Sequence, residues 1–331
     1  MLKLTWKQLG LVAVLVLTLV LAACGSAEEE EAEDNGNADG ENTTEETNEE
    51  TNEETNEDTG SEEEGSEGVA LGEEELELVY VEWDSEIAST NVIAEVLRNQ
   101  GYDVTITPID NALMWQSVAQ GEADGMVAAW LPGTHGDLYE EHKDSLVDLG
   151  ENLSGAKIGL VVPEYVEATT IGDLADYAEE FDSKITGIEA GSGVVQAAEQ
   201  SIEDYGLEGW EVQTSSSGAM ATALGEAIDS EEAIAVTGWT PHWKFAKYDL
   251  KYLEDPEGSF GGEEYIGTMV REGLQEDSPA AYQILDQFNW TSADMESIML
   301  EVSNGASPED AAAAWVEENQ DKVDEWVAGL E

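Results

Sequence analysis

Three short apolar runs of this chain each end on a tryptophan: Leu76 to Trp83 (LELVYVEW), Gly125 to Trp130 (GMVAAW) and Ala233 to Trp239 (AIAVTGW). Runs of this length, bounded by polar or Gly-containing segments, read as buried strands of an α/β protein. Ligands of open α/β sheets sit beyond the carboxyl ends of such strands. Three indole rings placed there face one crevice. Ring faces attract positive charge without needing a hydrogen-bond donor, so the ligand best suited to the crevice is an organic cation. A single tryptophan reads equally well as core filler, because Trp is highly buried on average. Three at the same end of three strands point to a site.

Two further segments carry polar chemistry. Gly191-Ser192-Gly193-Val194 lies between a predicted strand and a predicted helix, where backbone N–H groups and the helix dipole favour an anion such as a carboxylate. It is a poor nucleotide fingerprint, because Gln196 stands where the last glycine of Gly-x-Gly-x-x-Gly belongs, and a tight turn without a ligand explains it as well. His135 follows Trp130 in a turn-rich loop and is either a donor to an anionic group or a solvated loop residue. His142 and His242 show no metal-ligand spacing, and neither a nucleophile elbow nor a cysteine nucleophile is present. Ser215 to Ser217 read as a helix N-cap cluster. Asp84 and Glu86 beside Trp83 have the types of a catalytic carboxylate pair, but helix starts place acids at such positions constantly. The expectation is a binding protein with no catalytic residue, metal or cofactor.

Composition narrows the partners. The 331 residues hold 76 acidic against 11 basic side chains, a formal charge of −65, which argues against nucleic acid because a phosphate backbone requires a basic patch. Lys3 and Lys7 precede an apolar stretch from Leu9 to Ala23, too short for a comfortable membrane span and typical of a secretory signal. Leu21-Ala22-Ala23-Cys24-Gly25 resembles the bacterial lipoprotein box, and Cys24 is the single cysteine. Residues 1–23 are therefore expected to be a lipoprotein signal peptide. Residues 24–72, rich in Glu, Thr, Asn and Gly, are expected to form a lipidated cysteine followed by an extended acidic tether. An acidic surface of this kind suits a saline environment, where salt screens its self-repulsion.

These residues must be held by an α/β framework. Strand, helix, strand, helix, strand is predicted from Leu76 to Trp130, with a helix over Ser85 to Gln100 ended by Gly101, a strand over Tyr102 to Thr107 and a helix over Asn111 to Gln120. Lys157 to Pro163, Lys184 to Ile188, Glu211 to Thr214 and Ala233 to Trp239 read as strands of a second unit. Helices fall over Val195 to Tyr205 and Ala219 to Ile228. The tail, Tyr265 to Leu330, is expected to be wholly helical. Trp290, Trp315 and Trp326, with Trp115 and Trp210, are expected in the core.

The motifs Val81-Glu82-Trp83-Asp84-Ser85-Glu86-Ile87-Ala88-Ser89-Thr90, Ala129-Trp130-Leu131-Pro132-Gly133-Thr134-His135, Gly191-Ser192-Gly193-Val194 and Thr237-Gly238-Trp239-Thr240-Pro241-His242-Trp243 closely resemble the glycine betaine-binding lipoproteins of osmoprotectant ABC importers. The resemblance covers the chain from Leu76 onward. It implies a two-lobed substrate-binding fold, each lobe a mostly parallel sheet flanked by helices, with ligand in the cleft between lobes. Lobe I would hold residues 73–162 with about 257–331, and lobe II about 163–256. By the same resemblance Trp83, Trp130 and Trp239 enclose a trimethylammonium group, while the amides of Gly193 and Val194 and the side chain of His135 contact its carboxylate. It also implies a monomer anchored through Cys24 to the outer face of the cell membrane, with a permease and its ATPase as partners. Proline betaine, carnitine and choline remain open as alternative ligands. Ala190, where a proline is expected, and Gly133, where a side chain is expected, depart from the pattern.

Overall fold

The computed structural model describes residues 68–330. The expected signal segment, Cys24 and most of the acidic tether lie outside the described residues. The strands are β1 (Glu75–Tyr80), β2 (Asp103–Pro108), β3 (Gly125–Leu131), β4 (Leu146–Pro163), β5 (Lys184–Thr186), β6 (Glu211–Gln213), β7 (Ala235–Thr240), β8 (Leu250–Tyr252) and β9 (Glu264–Arg271). The helices are α1 (Asp84–Asn99), α2 (Asn111–Ala119), α3 (Gly136–His142), α4 (Gly193–Asp204), α5 (Ser217–Ser230), α6 (Lys244–Lys247), α7 (Leu274–Asp277), α8 (Pro279–Gln287), α9 (Ser292–Ser303), α10 (Pro308–Glu318) and α11 (Gln320–Trp326).

The sheet runs β2-β1-β3-β9-β4-β7-β5-β6, with β8 beside β4. Its two ends are parallel, β2-β1-β3 on one side and β7-β5-β6 on the other, as crossover helices require. Its middle is antiparallel: β9 lies between β3 and β4, and β4 pairs with β7 and β8. The 18-residue β4 serves both halves, pairing β9 from Leu146 to Ala156 and β7 from Lys157 to Val161. The chain returns to the first half between β8 and β9.

Two elements differ from the expectation drawn from sequence. The segment taken as the start of a helical tail is β9, whose register sets Trp130 opposite Ile266 and Ala156 opposite Glu264. A strand covered on both faces shows a continuous apolar run, which periodicity cannot separate from a buried helix segment. The first part of β4 went unrecognised because register shifts and positive-φ glycines, Gly150 and Gly155, interrupt its pattern.

The helix α1 holds the first half together. Ala88, Val92, Ile93, Val96 and Leu97 are buried at helical spacing, and α9 and α10 return from the C-terminal region to pack on it. Gly101, at φ +107°, ends α1 in the left-handed conformation open to glycine. Trp290, Trp315 and Trp326 join Phe288 in a buried aromatic cluster, with the Trp315 and Trp326 rings stacked at 5.9 Å. Trp115 and Trp210 are also buried.

Candidate ligand-binding site

The three strand-end tryptophans reach one cavity by three routes. Trp130 and Trp239 are the penultimate residues of β3 and β7, so each side chain leaves its strand where the sheet stops. Trp83 lies beyond β1, at the N-cap of α1. The cavity, with about 270 Å³ of empty volume, is lined by Trp83, Trp130, Thr134, Ile158, Ile188, Ser192, Gly193, Val194 and Trp239. The register of β4 with β7 sets Ile158 directly opposite Trp239, which explains why both reach it. Five of the six residues expected to bind ligand therefore meet in one space, and all three indoles are buried.

Carboxyl groups stand at the edges of two indoles. The Trp130 N–H donates to Glu86 Oε1 at 2.6 Å, and the Trp83 N–H donates to Glu189 Oε1. Glu86 is fully buried, and that burial pushes its pKa up to about 8 against the opposing hydrogen bonds from Trp130 and Ser85. Trp239 differs: its N–H has no acceptor, and Lys244 Nζ lies 4.2 Å from its ring centroid. Lys244 is itself fully buried without an acceptor, and burial pushes its pKa down to about 7, with Asp84 pulling the other way.

The other end of the cavity is suited to an anion. Gly193 and Val194 open α4, and neither amide has a partner within the protein, whereas those of Val195 and Gln196 bond to the Ser192 carbonyl. Ser192 sits at the N-cap, but its hydroxyl donates to the Glu189 carbonyl at 2.9 Å instead of capping the helix. The first turn of α4 also contains no acidic residue, despite the composition of the chain. Free N–H groups and the positive end of the helix dipole thus point into the same space as the indole faces.

His135 is placed differently from the other expected contacts. It does not line the cavity but stacks on Trp83, with ring centroids 5.7 Å apart, and meets Trp115 edge-on. Its Nδ1 accepts the Trp130 amide N–H at 3.0 Å, which assigns the ring proton to an unpartnered Nε2. Burial pushes its pKa down to about 3 against a smaller opposing pull from the Ala128 carbonyl, so the ring is neutral near pH 7.

Both halves of the molecule contribute to the site and touch around it. Asp84, in the first turn of α1, accepts hydrogen bonds from Ser217 Oγ and Trp243 Nε1, each at 2.9 Å, and His242 Nε2 approaches it to 3.4 Å. Burial raises the Asp84 pKa, but His242, Trp243 and Ser217 together outweigh it and hold the carboxyl well below the usual range. The Thr134 carbonyl packs so close to Gly193 that a Cβ there would collide with it. Thr134 is held in turn by Glu264, which accepts from the Gly133 and Thr134 amides and from the Thr134 hydroxyl. A Cβ at Gly133 would come within 2.6 Å of Glu264 Oε1, so the departure noted at that position makes room for the clamp.

From sequence, Asp84 and Glu86 read only as acids in the opening turn of a helix, and Glu189 and Lys244 carry no local signal of a role. The signal available for the first two was their place in the opening turn of the helix that Trp83 begins. Nothing in the spacing showed that their acceptors would face indole and histidine groups.

The family model for the substrate binding domain of ABC-type glycine betaine transport systems matches residues 74–318. The glycine betaine/carnitine transport binding protein GbuC of Listeria monocytogenes is 49% identical over 158 residues, 47% of this chain and 53% of that protein. The match thus spans about half the length of that curated relative. The crystal structure of lactococcal OpuAC, closed and complexed with glycine betaine, is 50% identical, with a TM-score of 0.74 over 77% of this chain and 99% of that one. An ABC-transporter choline binding protein in complex with choline is 25% identical, with a TM-score of 0.73 over 78% of this chain and 93% of that one.

Proposed function

The chain belongs to the family of substrate-binding domains of ABC-type glycine betaine transport systems, and from that premise we propose that it captures glycine betaine outside the cytoplasm and delivers it to the membrane permease of an importer. It is a binding protein and not an enzyme. The cavity supports glycine betaine because it offers two unlike ends: three indole faces from Trp83, Trp130 and Trp239, and the free amides of Gly193 and Val194. A trimethylammonium group cannot donate a hydrogen bond, so ring faces that exclude water suit it better than one acidic partner. Each cation–π contact contributes about 1–2 kcal/mol when desolvated. The carboxylate takes the two free amides at the start of α4, while His135, which stacks on Trp83 outside the cavity lining, supports that indole. Choline has no carboxylate and leaves that end unfilled.

Capture and release follow from the two-lobed build. Lobe I takes about residues 73–156 with about 257–331 and lobe II about 157–256. This boundary is earlier than the expected residue 162 because β4 changes partner from β9 to β7 after Ala156, and the lobes are joined by β4 and by the return from β8 to β9. Trp83, Trp130 and His135 lie on one lobe, and Trp239, Gly193 and Val194 on the other. Ligand bridges the two and favours the closed state that a permease recognises. A lipid on Cys24, supported by Leu21-Ala22-Ala23-Cys24-Gly25, would hold the monomeric protein at the outer face of the cell membrane by its acidic tether.

Titration calorimetry in high salt against glycine betaine, proline betaine, carnitine and choline tests this reading. Glycine betaine is expected to bind at about micromolar Kd, and choline at least about tenfold more weakly. Choline binding as tightly as glycine betaine would overturn the ligand assignment, and no binding of any quaternary ammonium compound would overturn the reading itself.

A further inference from the structure

The three walls of the cavity are alike in residue type and unlike in electronic setting. Trp83 and Trp130 each donate the indole N–H to a glutamate, while Trp239 has no acceptor and carries a lysine over its ring. An ionised carboxylate at an indole N–H pushes electron density toward the ring and adds its own negative charge nearby, and both strengthen the pull of the ring face on a cation. Glu86, whose burial pushes its pKa up to about 8, is largely protonated near pH 7 and adds little of that charge. A lysine over a ring acts in the opposite sense whenever it is charged.

The two glutamates are not equivalent. Glu86 belongs to α1, on the same half of the molecule as Trp130, and its bond does not depend on how the halves sit. Glu189 lies between β5 and α4 on the second half, while Trp83 begins α1 on the first, 106 residues away. Their hydrogen bond therefore exists only with the halves together. Glu189 also acts at the anion end, because its carbonyl accepts the Ser192 hydroxyl, which makes no cap to the Val194 amide and leaves that amide free.

We propose that Glu189 is a positioning and affinity-setting residue for the cation, charging the Trp83 face through the indole N–H as the lobes close. Closure then does more than bring a third ring to the cage: it raises the attraction of a ring already present. The bound cation in turn strengthens the Trp83 to Glu189 bond, so ligand and closure favour one another through this contact. The inference rests on a quaternary ammonium ligand, as proposed above.

Glu189→Gln separates charge from geometry, since glutamine keeps an oxygen to accept the indole N–H and loses only the carboxylate charge. Calorimetry with glycine betaine should show the Kd of Glu189→Gln raised by about five- to tenfold, with melting temperature unchanged. In a Trp83→Phe background, which has no N–H, the same substitution should change Kd less than twofold, the non-additivity expected of a direct coupling. The tert-butyl isostere of glycine betaine, equal in shape but uncharged at that end, should lose less than twofold to Glu189→Gln. An unchanged Kd in Glu189→Gln, an equal loss in the Trp83→Phe background, or a parallel loss with the isostere would each overturn the proposal. Failure of the unsubstituted chain to bind any quaternary ammonium compound would instead overturn the functional reading, and this inference with it.

Discussion

The charge of the cage is decided by individual side chains that touch the rings from behind. Glu86 is the clearest case for a pH effect, because it is fully buried and its pKa is pushed up to about 8 from an ordinary 4.5. A carboxyl whose folded pKa lies above its unfolded value contributes stability that is complete below about 4.5 and lost as pH rises through about 8. Lys244, His135 and His242, whose pKa values burial pushes down, contribute in the opposite direction. Comparison with Glu86→Gln cancels those groups. Thermal melts at pH 5.5 and pH 8.5 should show the unsubstituted chain losing stability relative to Glu86→Gln as pH rises, by about a few degrees. A difference in melting temperature that does not change with pH would mean that Glu86 is not the titrating group.

At the scale of elements, two structures act on the ligand space: the start of α4 and the loop that leaves β3. The loop is fixed by Glu264, which binds Gly133 and Thr134 from the first residue of β9. That fixed loop presents the Thr134 carbonyl to Gly193, where only the absence of a Cβ allows the approach. Gly193→Ala places a methyl group between the halves, with the Thr134 methyl carbon at 2.8 Å as well. Neither half loses a contact of its own, so the expected result is nearly unchanged stability with glycine betaine affinity reduced about tenfold or more. Small-angle scattering with ligand should show a larger radius of gyration than the unsubstituted chain gives. Full affinity in Gly193→Ala would show that closure does not require this approach.

The whole molecule is set by its charge balance. With 76 acidic and 11 basic side chains, few carboxylates find a cation, and Arg271, bonded to both Asp124 and Asp277, is one of the pairings formed. The remaining repulsion acts over distances that salt shortens, since the Debye length falls from about 10 Å at about 0.1 M to about 3 Å at about 1 M. A fold suited to a saline setting should melt several degrees higher in about 2 M potassium chloride than in about 0.05 M. A melting temperature that does not rise with salt would remove the saline reading while leaving the binding site untouched.

The sequence by itself pointed to five of the nine residues that line the cavity and to much of the framework beneath them. Tryptophan at the ends of apolar runs, glycines before a helix and apolar residues at helical spacing in α1 are local signals, each carried by a few neighbouring positions. Resemblance to a known family turned them into six named contacts, of which five line the cavity. Tertiary structure alone decided the rest. The strand β9 was hidden because burial on both faces removes the alternation that marks a strand, and the first part of β4 because bulges break its period. The pairing of Trp130 with Glu86, of Trp83 with Glu189 and of Trp239 with Lys244 joins residues distant in sequence or turned by a helix into one space. Such pairings depend on which faces pack together, within one half for Trp130 with Glu86 and Trp239 with Lys244 and across the halves for Trp83 with Glu189, and no local spacing encodes that.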